Sequence, residues 1–314
     1  MEFFDEYLSA EISDILYKEL LIDRTTRENI RWATEIYSDN GPSFYPQETI
    51  RQDLITGRFK AIIQPRIFKS KEEQNHRTKD KAEVFTPSWV CNEQNNLVDD
   101  GWFGRKNVFN STFDKSWKAT EKPLEFPKGK SWQKYVDLRR MEMSCGEAPY
   151  LVSRYDTVSG KEIPIPERIG LLDRKLRVIN ENVDDEEGWN EQVLRAYQST
   201  YGFEYQGDNL LIARFNLLLT FIEYTRFKFG HDPNVVALKN IARVISWNIW
   251  QMDGLNYCVP FSERPRVNQQ ISLFEILDEE KEQPMTEPVP CKIKDWRANQ
   301  SVEFRSMIRG GRQA

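Results

Sequence analysis

The chain has only two histidines, His76 and His231. That leaves nothing for a His-rich metal site and speaks against a Ser-His-Asp triad. Its four cysteines, Cys91, Cys145, Cys258 and Cys291, are widely spaced and form no C-x-x-C pair, the pattern of reduced thiols in a cytoplasmic protein without a zinc site. No run of about 18 apolar residues exists, which argues against a membrane-spanning helix. The opening Met1-Glu2-Phe3-Phe4-Asp5-Glu6 lacks the basic stretch of a secretory signal. There is no G-x-x-x-x-G-K-[ST] phosphate loop, and no internal repeat.

What the 314 residues do hold is bulk for a core: 39% hydrophobic residues, with nine Trp and eighteen Phe. The formal net charge is −5, so a nucleic-acid-binding surface has to gather Lys and Arg on one face. The candidate stretch runs from Lys60 to Lys81 and includes Arg66, Lys69, Arg77 and Lys79, set against Glu72, Glu73 and Asp80. It reads either as a solvated connector or as a phosphate-contacting strip.

Periodicity predicts three helices at the start. Phe4, Tyr7, Leu8, Ile12, Ile15, Leu16 and Leu20 recur at helical spacing. Thr25 with Glu28 has the form of a capping box ahead of Ile30, Ala33 and Ile36. Residues Gln47 to Ile55 give a third helix closed by Gly57. Arg58 to Gln64 then reads as a strand. Further on, strand and helix alternate: strand Tyr135 to Met143, a turn through Gly146 into a helix with Pro149 at its first position, and a Gly/Pro-rich loop or hairpin from Asp156 to Pro166. Helical patterns follow at Glu167–Asn180 and Trp189–Gln198. A strand edge at Phe203 leads to a long helix capped by Asp208, with the stripe Leu210, Leu211, Leu217, Leu218, Phe221 and Tyr224. Helix Asn234–Val244 precedes strand Ser246–Met252. This order argues for a parallel α/β sheet. Residues Asp278 to Pro290 read as an acidic, proline-rich linker, ahead of a strand from Cys291 to Lys294 and a basic tail. The expected organisation is an N-terminal helical region (1–57), an α/β domain (58–260), and a linker, short strand and tail (261–314).

Four segments stand in a telling order: Phe85-Thr86-Pro87, then Glu142-Met143-Ser144-Cys145-Gly146-Glu147-Ala148, then Tyr201-Gly202-Phe203-Glu204-Tyr205, then Trp250-Gln251-Met252-Asp253. Together they resemble the ordered cofactor motifs of DNA adenine-N6 methyltransferases of the gamma type, the family of restriction-system modification subunits. The resemblance covers about residues 60 to 255. It implies a Rossmann-like sheet, whole or abbreviated, that binds S-adenosylmethionine. Glu142 stands where the family has Asp, Gly146 matches the first glycine of the turn, and Ala148 replaces the second. Cys145, Gly146, Glu147 and Ala148 would form the tight turn that lets backbone and a helix start face the methionine carboxylate. Glu204, with Tyr205 beside it, matches the acid that takes the ribose hydroxyls. Asp253 matches the acceptor for the adenine amino group, and Phe85, Thr86 and Pro87 the lid over the methionine end.

Adenine methylation also requires a flipped base held at its exocyclic amine. The family's Asn-Pro-Pro-Tyr-type motif does this, and no such tetrapeptide follows Asp253. The nearest positional candidate is Asp295 with Trp296, one to accept from the amine and one to stack. The expected function is therefore adenine-N6 methylation of double-stranded DNA in a restriction-modification or phage system. The alternative is a catalytically silent DNA-binding or interaction subunit that needs a partner subunit. The Glu-x-Lys spacing of restriction nucleases occurs within Asp278-Glu279-Glu280-Lys281, inside a run better read as solvated.

Overall fold

A computed structural model describes residues 10–69, 86–265 and 286–310. In chain order the first elements are α1 (Ala10–Leu21), α2 (Ser88–Phe103), the hairpin strands β1 (Asn110–Phe113) and β2 (Ser116–Ala119), and the short α3 (Trp132–Val136). The centre is a three-stranded parallel sheet made of β3 (Arg140–Met143), β4 (Thr200–Glu204) and β5 (Ile249–Gln251), in that order. Parallel neighbours need long crossovers. Here β3 reaches β4 through α4 (Leu171–Asn182) and α5 (Glu186–Gln198), and β4 reaches β5 through α6 (Gly207–Phe229) and α7 (Val235–Asn248). The chain is thus a mixed α/β protein.

The register sorts the side chains. Met141 lies opposite Tyr201, Met143 opposite Phe203, and Phe203 opposite Trp250, so these share one face of the pleat. Over that face, Phe203, Trp250 and Met252 pack with Cys291, Ile293 and Phe304. The last three come from the antiparallel hairpin β6 (Lys292–Asp295) and β7 (Gln300–Glu303), its lead-in, and the short α8 (Phe304–Gly310). The opposite face belongs to the main core, where Ile249 joins α4 to α7. Helices, sheet and hairpin form three layers.

α6 is buried along most of its circumference, which explains why its apolar residues exceed a single stripe. Gly230 ends it in the left-handed region (φ 77°), donating its N–H to Arg226 O at 2.8 Å. Asn234 accepts from Ala237 N–H to start α7, and Asp185 accepts from Gly188 N–H to start α5. Inside α6, the buried Arg214 donates to the carbonyls of Leu20, Ile22, Ser246 and Ile249. One guanidinium thereby ties α1 to the start of β5.

The N-terminal region departs from its periodicity. Among the described residues of this region only α1 is an α-helix; the expected second and third helices are turns, with 3-10 turns at Ser38–Asn40, Pro42–Phe44 and Gln52–Leu54. Thr25 and Glu28 form no capping box. Instead Asp23 Oδ1 accepts the N–H groups of Thr25 and Thr26 and the Thr26 hydroxyl, an Asx turn that competes with helix. Gln251 then takes over the backbone of Arg31: Arg31 N–H donates to Gln251 Oε1, and Gln251 Nε2 donates to Arg31 O, both at 2.8 Å. Residues 10–57 share the main core through Leu16, Tyr17, Trp32 and Ile50. The expected strand at 58–64 is a 3-10 turn, Gly57–Phe59, followed by turns.

Two other elements differ. No helix begins at Pro149; residues 149–170 run as turns with an isolated bridge between Tyr155 and Glu162 and a 3-10 turn at Ile165–Glu167, and α4 starts at Leu171. The β1–β2 hairpin is announced by no pattern in the sequence. Its turn residues Asp114 and Lys115 both have positive φ (40° and 58°), the geometry of a two-residue hairpin turn.

Candidate functional site

The carboxyl ends of the three parallel strands bring Gly146, Glu204 and Asp253 into one row. Cys145 N–H donates to Phe203 O at 2.8 Å, and Met252 N–H donates to Glu204 O at 3.0 Å. The turn after β3 therefore abuts the end of β4, which abuts the residue before Asp253. These three residues lie far apart in sequence and meet only because β3, β4 and β5 are adjacent.

The turn after β3 is tight. Ser144, Gly146 and Ala148 all have positive φ (50°, 52° and 65°). Gly146 adopts this freely; Ser144 and Ala148 do so at a cost of order 1 kcal/mol. Glu204 organises the turn: its Oε2 accepts Gly146 N–H at 2.8 Å, and its Oε1 accepts the N–H groups of Tyr205 and Gln206 at 3.0 and 3.1 Å. Burial pushes the Glu204 carboxyl above its ordinary value, against the pull of those three N–H groups. Tyr205 is 39% exposed beside it and feels the Asp253 charge.

Glu142, on β3, turns its carboxylate to the helix side. Tyr150 N–H reaches Oε1 at 3.5 Å, while Oε2 is buried with no hydrogen-bond partner among the described residues. Burial holds this carboxyl well above the usual range against the pull of the Tyr150 and Leu151 N–H groups, and the neighbouring Glu204 adds to the shift. Cys91, on α2, has its thiol pushed up to about 12 by burial and by Glu142, so it is a packing group and not a nucleophile. Cys145 and Ala148 are also buried.

Thr86 and Pro87 lead into α2 against this same turn. Thr86 O accepts from the Thr157 hydroxyl at 3.0 Å, Thr86 shares a hydrogen bond with the Tyr150 side chain, and Ser88 N–H donates to Asp156 Oδ2 at 2.8 Å. Phe85 lies outside the described residues. Behind the turn, Tyr155 OH donates to Glu147 Oε2 at 2.6 Å, and Asn216 Nδ2 donates to Glu147 O and to Tyr155 OH. Glu147, expected at the cofactor, is 1% exposed and its carboxylate braces the turn from behind. Tyr150, Tyr155, Asp156 and Asn216 escaped sequence reasoning. The one legible signal was Asn216, a lone amide within the apolar run of α6.

Asp253 is engaged locally. Its Oδ1 accepts Leu255 N–H at 2.8 Å and its Oδ2 accepts from Asn256 Nδ2 at 2.9 Å, capping the turn after β5.

Asp295 and Trp296 are not near these groups. Asp295 Oδ1 accepts the N–H groups of Arg297 and Ala298 in the β6–β7 turn, and its Oδ2 faces Arg139 at 3.7 Å. Trp296 Nε1 donates to Asn248 Oδ1 at 2.8 Å. Arg139 and Asn248 precede β3 and β5, so both residues sit at the amino ends of the strands. A strand of four residues spans about 13 Å, which removes Asp295 and Trp296 from chemistry at the opposite end. The basic strip also changes. Lys69, expected at a phosphate, has a side chain 8% exposed that faces the buried Asp208 at 3.7 Å. Asp208 does not cap α6; it accepts from Tyr37 OH at 2.7 Å. Arg77 and Lys79 lie outside the described residues. Arg66 belongs to a 3-10 turn, Arg66–Phe68, and its side chain is outside those described.

Among the described residues, no helix is long and apolar enough to cross a membrane, and no cluster of His, Cys, Asp and Glu could hold a metal ion. No protein-family model, no curated protein and no solved structure matches this chain.

Proposed function

We propose that the row of strand ends is a nucleoside-binding crevice for S-adenosylmethionine, and that the chain is a Rossmann-like methyltransferase-family protein directed at adenine N6 in DNA. The observation that carries this reading is the hydrogen-bonded adjacency of Gly146, Glu204 and the segment ending in Asp253 at one edge of a parallel sheet. In open α/β sheets ligands bind outside the carboxyl ends of the strands. The residues fit such a cofactor. Glu204 Oε2 accepts a single N–H and keeps a lone pair for a ribose hydroxyl. The orphaned Glu142 Oε2 suits the ammonium of the methionine end, with Thr86 and Pro87 beside it. When bound, the cofactor supplies a sulfonium methyl for transfer to the amine, whose proton leaves to solvent.

The groups that would hold a flipped base are a separate matter. With Asp295 and Trp296 at the far edge, and β3 carrying no partner on its outer side among the described residues, this chain supplies the cofactor half of such a site. That favours the second reading, a subunit that binds cofactor or DNA and acquires the base-holding motif from a partner.

Calorimetry of the full chain with S-adenosylmethionine tests the crevice. Labelled-methyl transfer to adenine-containing DNA, with and without neighbouring gene products, tests the reaction. Binding with transfer supports the enzyme, and binding without transfer under every condition supports the silent subunit. Absence of any cofactor and DNA binding eliminates both.

A further inference from the structure

A cavity of about 750 Å³ lies behind the turn after β3, between segment 61–68, residues 154–168 and one side of α6; two of its lining residues, Tyr155 and Asn216, hydrogen-bond Glu147 of that turn. Its wall is chiefly apolar, with Ile63, Ile67, Phe68, Ile165, Phe215 and Leu219. Its size falls within the range of pockets that enclose a small organic molecule. The polar wall is fixed by ion pairs. Arg154 donates through Nε and Nη2 to Glu223 Oε1, and through Nη1 to Asn216 Oδ1. Arg168 donates through Nη2 to Glu223 Oε2 at 2.6 Å and through Nε to Ile163 O at 3.2 Å. Its remaining nitrogen, Nη1, is buried and has no hydrogen-bond partner among the described residues. The Arg168 side chain is 6% exposed, which shields that donor from bulk solvent. A buried guanidinium N–H without an acceptor is costly, and two fixed bonds on the same plane prevent it from turning away.

Two further acids enter the balance. Asp173, on α4, is the strongest charge acting on Arg168; its Oδ2 accepts from Ser153 and its Oδ1 is buried without a hydrogen-bond partner among the described residues. Glu162 lines the cavity from the exposed loop. Two arginines, Arg154 and Arg168, thus stand against three acids, Glu223, Asp173 and Glu162, and a strongly anionic ligand such as a phosphate is not what the wall asks for. It asks for an apolar body with one acceptor oxygen.

We infer that this cavity is a second ligand site, taking a mostly apolar small molecule whose single carbonyl, carboxylate or sulfonate oxygen accepts from Arg168 Nη1. The inference is independent of the methyltransferase reading, because Tyr155 and Asn216 separate the cavity from the Gly146 turn.

The test uses the full chain and two fluorescent probes that share a body, 1-anilinonaphthalene-8-sulfonate and its sulfonate-free analogue N-phenyl-1-naphthylamine. Both should bind with one site per chain in the presence of saturating S-adenosylmethionine. Arg168→Lys keeps a cation for Glu223 and removes the Nη1 donor; it should weaken the sulfonate probe by about 10-fold and leave the neutral probe within 2-fold (about 0.4 kcal/mol). Ile165→Trp, at a half-buried loop position, should fill the cavity and reduce both. Thermal melts of the variants confirm that each is folded. Failure of the sulfonate probe to bind, its displacement by S-adenosylmethionine, or indifference of its affinity to both substitutions would overturn the assignment.

Discussion

Gly146 N–H and Glu204 Oε2 meet at 2.8 Å across 58 positions of sequence, joining the turn after β3 to the end of β4. Glu204 is thus both the organiser of the turn and, in the proposed function, the ribose ligand. Glu204→Ala should abolish S-adenosylmethionine binding by calorimetry. It should also lower stability by about 1–3 kcal/mol, because buried backbone N–H groups lose their acceptor. Glu204→Gln restores an acceptor oxygen without the charge, so it should recover most of the stability and only part of the affinity. Cofactor affinity unchanged in Glu204→Ala would remove Glu204 from the site.

Glu142 predicts a pH dependence. Burial raises its carboxyl above the ordinary 4.5, so the folded chain holds that proton more tightly than the unfolded one. The stability Glu142 contributes is complete below about 4.5 and is lost as pH rises through the raised folded value. Glu142→Gln should therefore melt higher than the parent at pH 7 to 8, and the gap should shrink toward pH 5. A cationic ligand next to Glu142 reverses the balance, favouring the ionised form. S-adenosylmethionine binding should thus release protons and tighten with rising pH, read as heats that differ between buffers of different ionisation enthalpy.

Gly207, the first residue of α6, carries a close approach. A Cβ placed there would lie 1.9 Å from Arg31 O, and Gly207 N–H donates to Trp32 O at 3.0 Å. Gly207→Ala must push the 31–32 backbone off α6, at a cost of about 1–3 kcal/mol and a Tm lower by several degrees. Gly101, within α2, has open space around its missing Cβ. Gly101→Ala should instead stabilise by about 0.5–1 kcal/mol. Equal melts for the two variants would contradict the packing described for Gly207.

The sequence was most legible where burial and period coincide. The long run from Leu210 to Tyr224 could only be a buried helix, and Asn234 announced the start of the next. Gly146, Glu204 and Asp253 were legible only through the ordered motifs they resemble; each stands at or just past the end of a strand. Legibility failed where a side chain from far away takes over the backbone. Thr25 to Ile36 has a good helical period, but Asp23 and Gln251 claim its N–H and C=O groups. Pro149 and Gly146 suggested an immediate helix, yet the Tyr155–Asn216–Glu147 hydrogen bonds hold that stretch as a loop.

Local patterning determined the long buried helices and the strands between them, because the 3.6- and 2-residue periods are properties of the chain alone, but not segments 25–36, 47–55 and 58–64, whose patterns gave way to turns. It also set the order in which the polar residues arrive. Only the tertiary structure decided which strands are neighbours, and hence that Glu204 reaches Gly146 while Asp295 and Trp296 are placed at the other edge. Strand adjacency is settled by long-range packing of α6 and the hairpin on opposite faces of the sheet, and no local period carries that information.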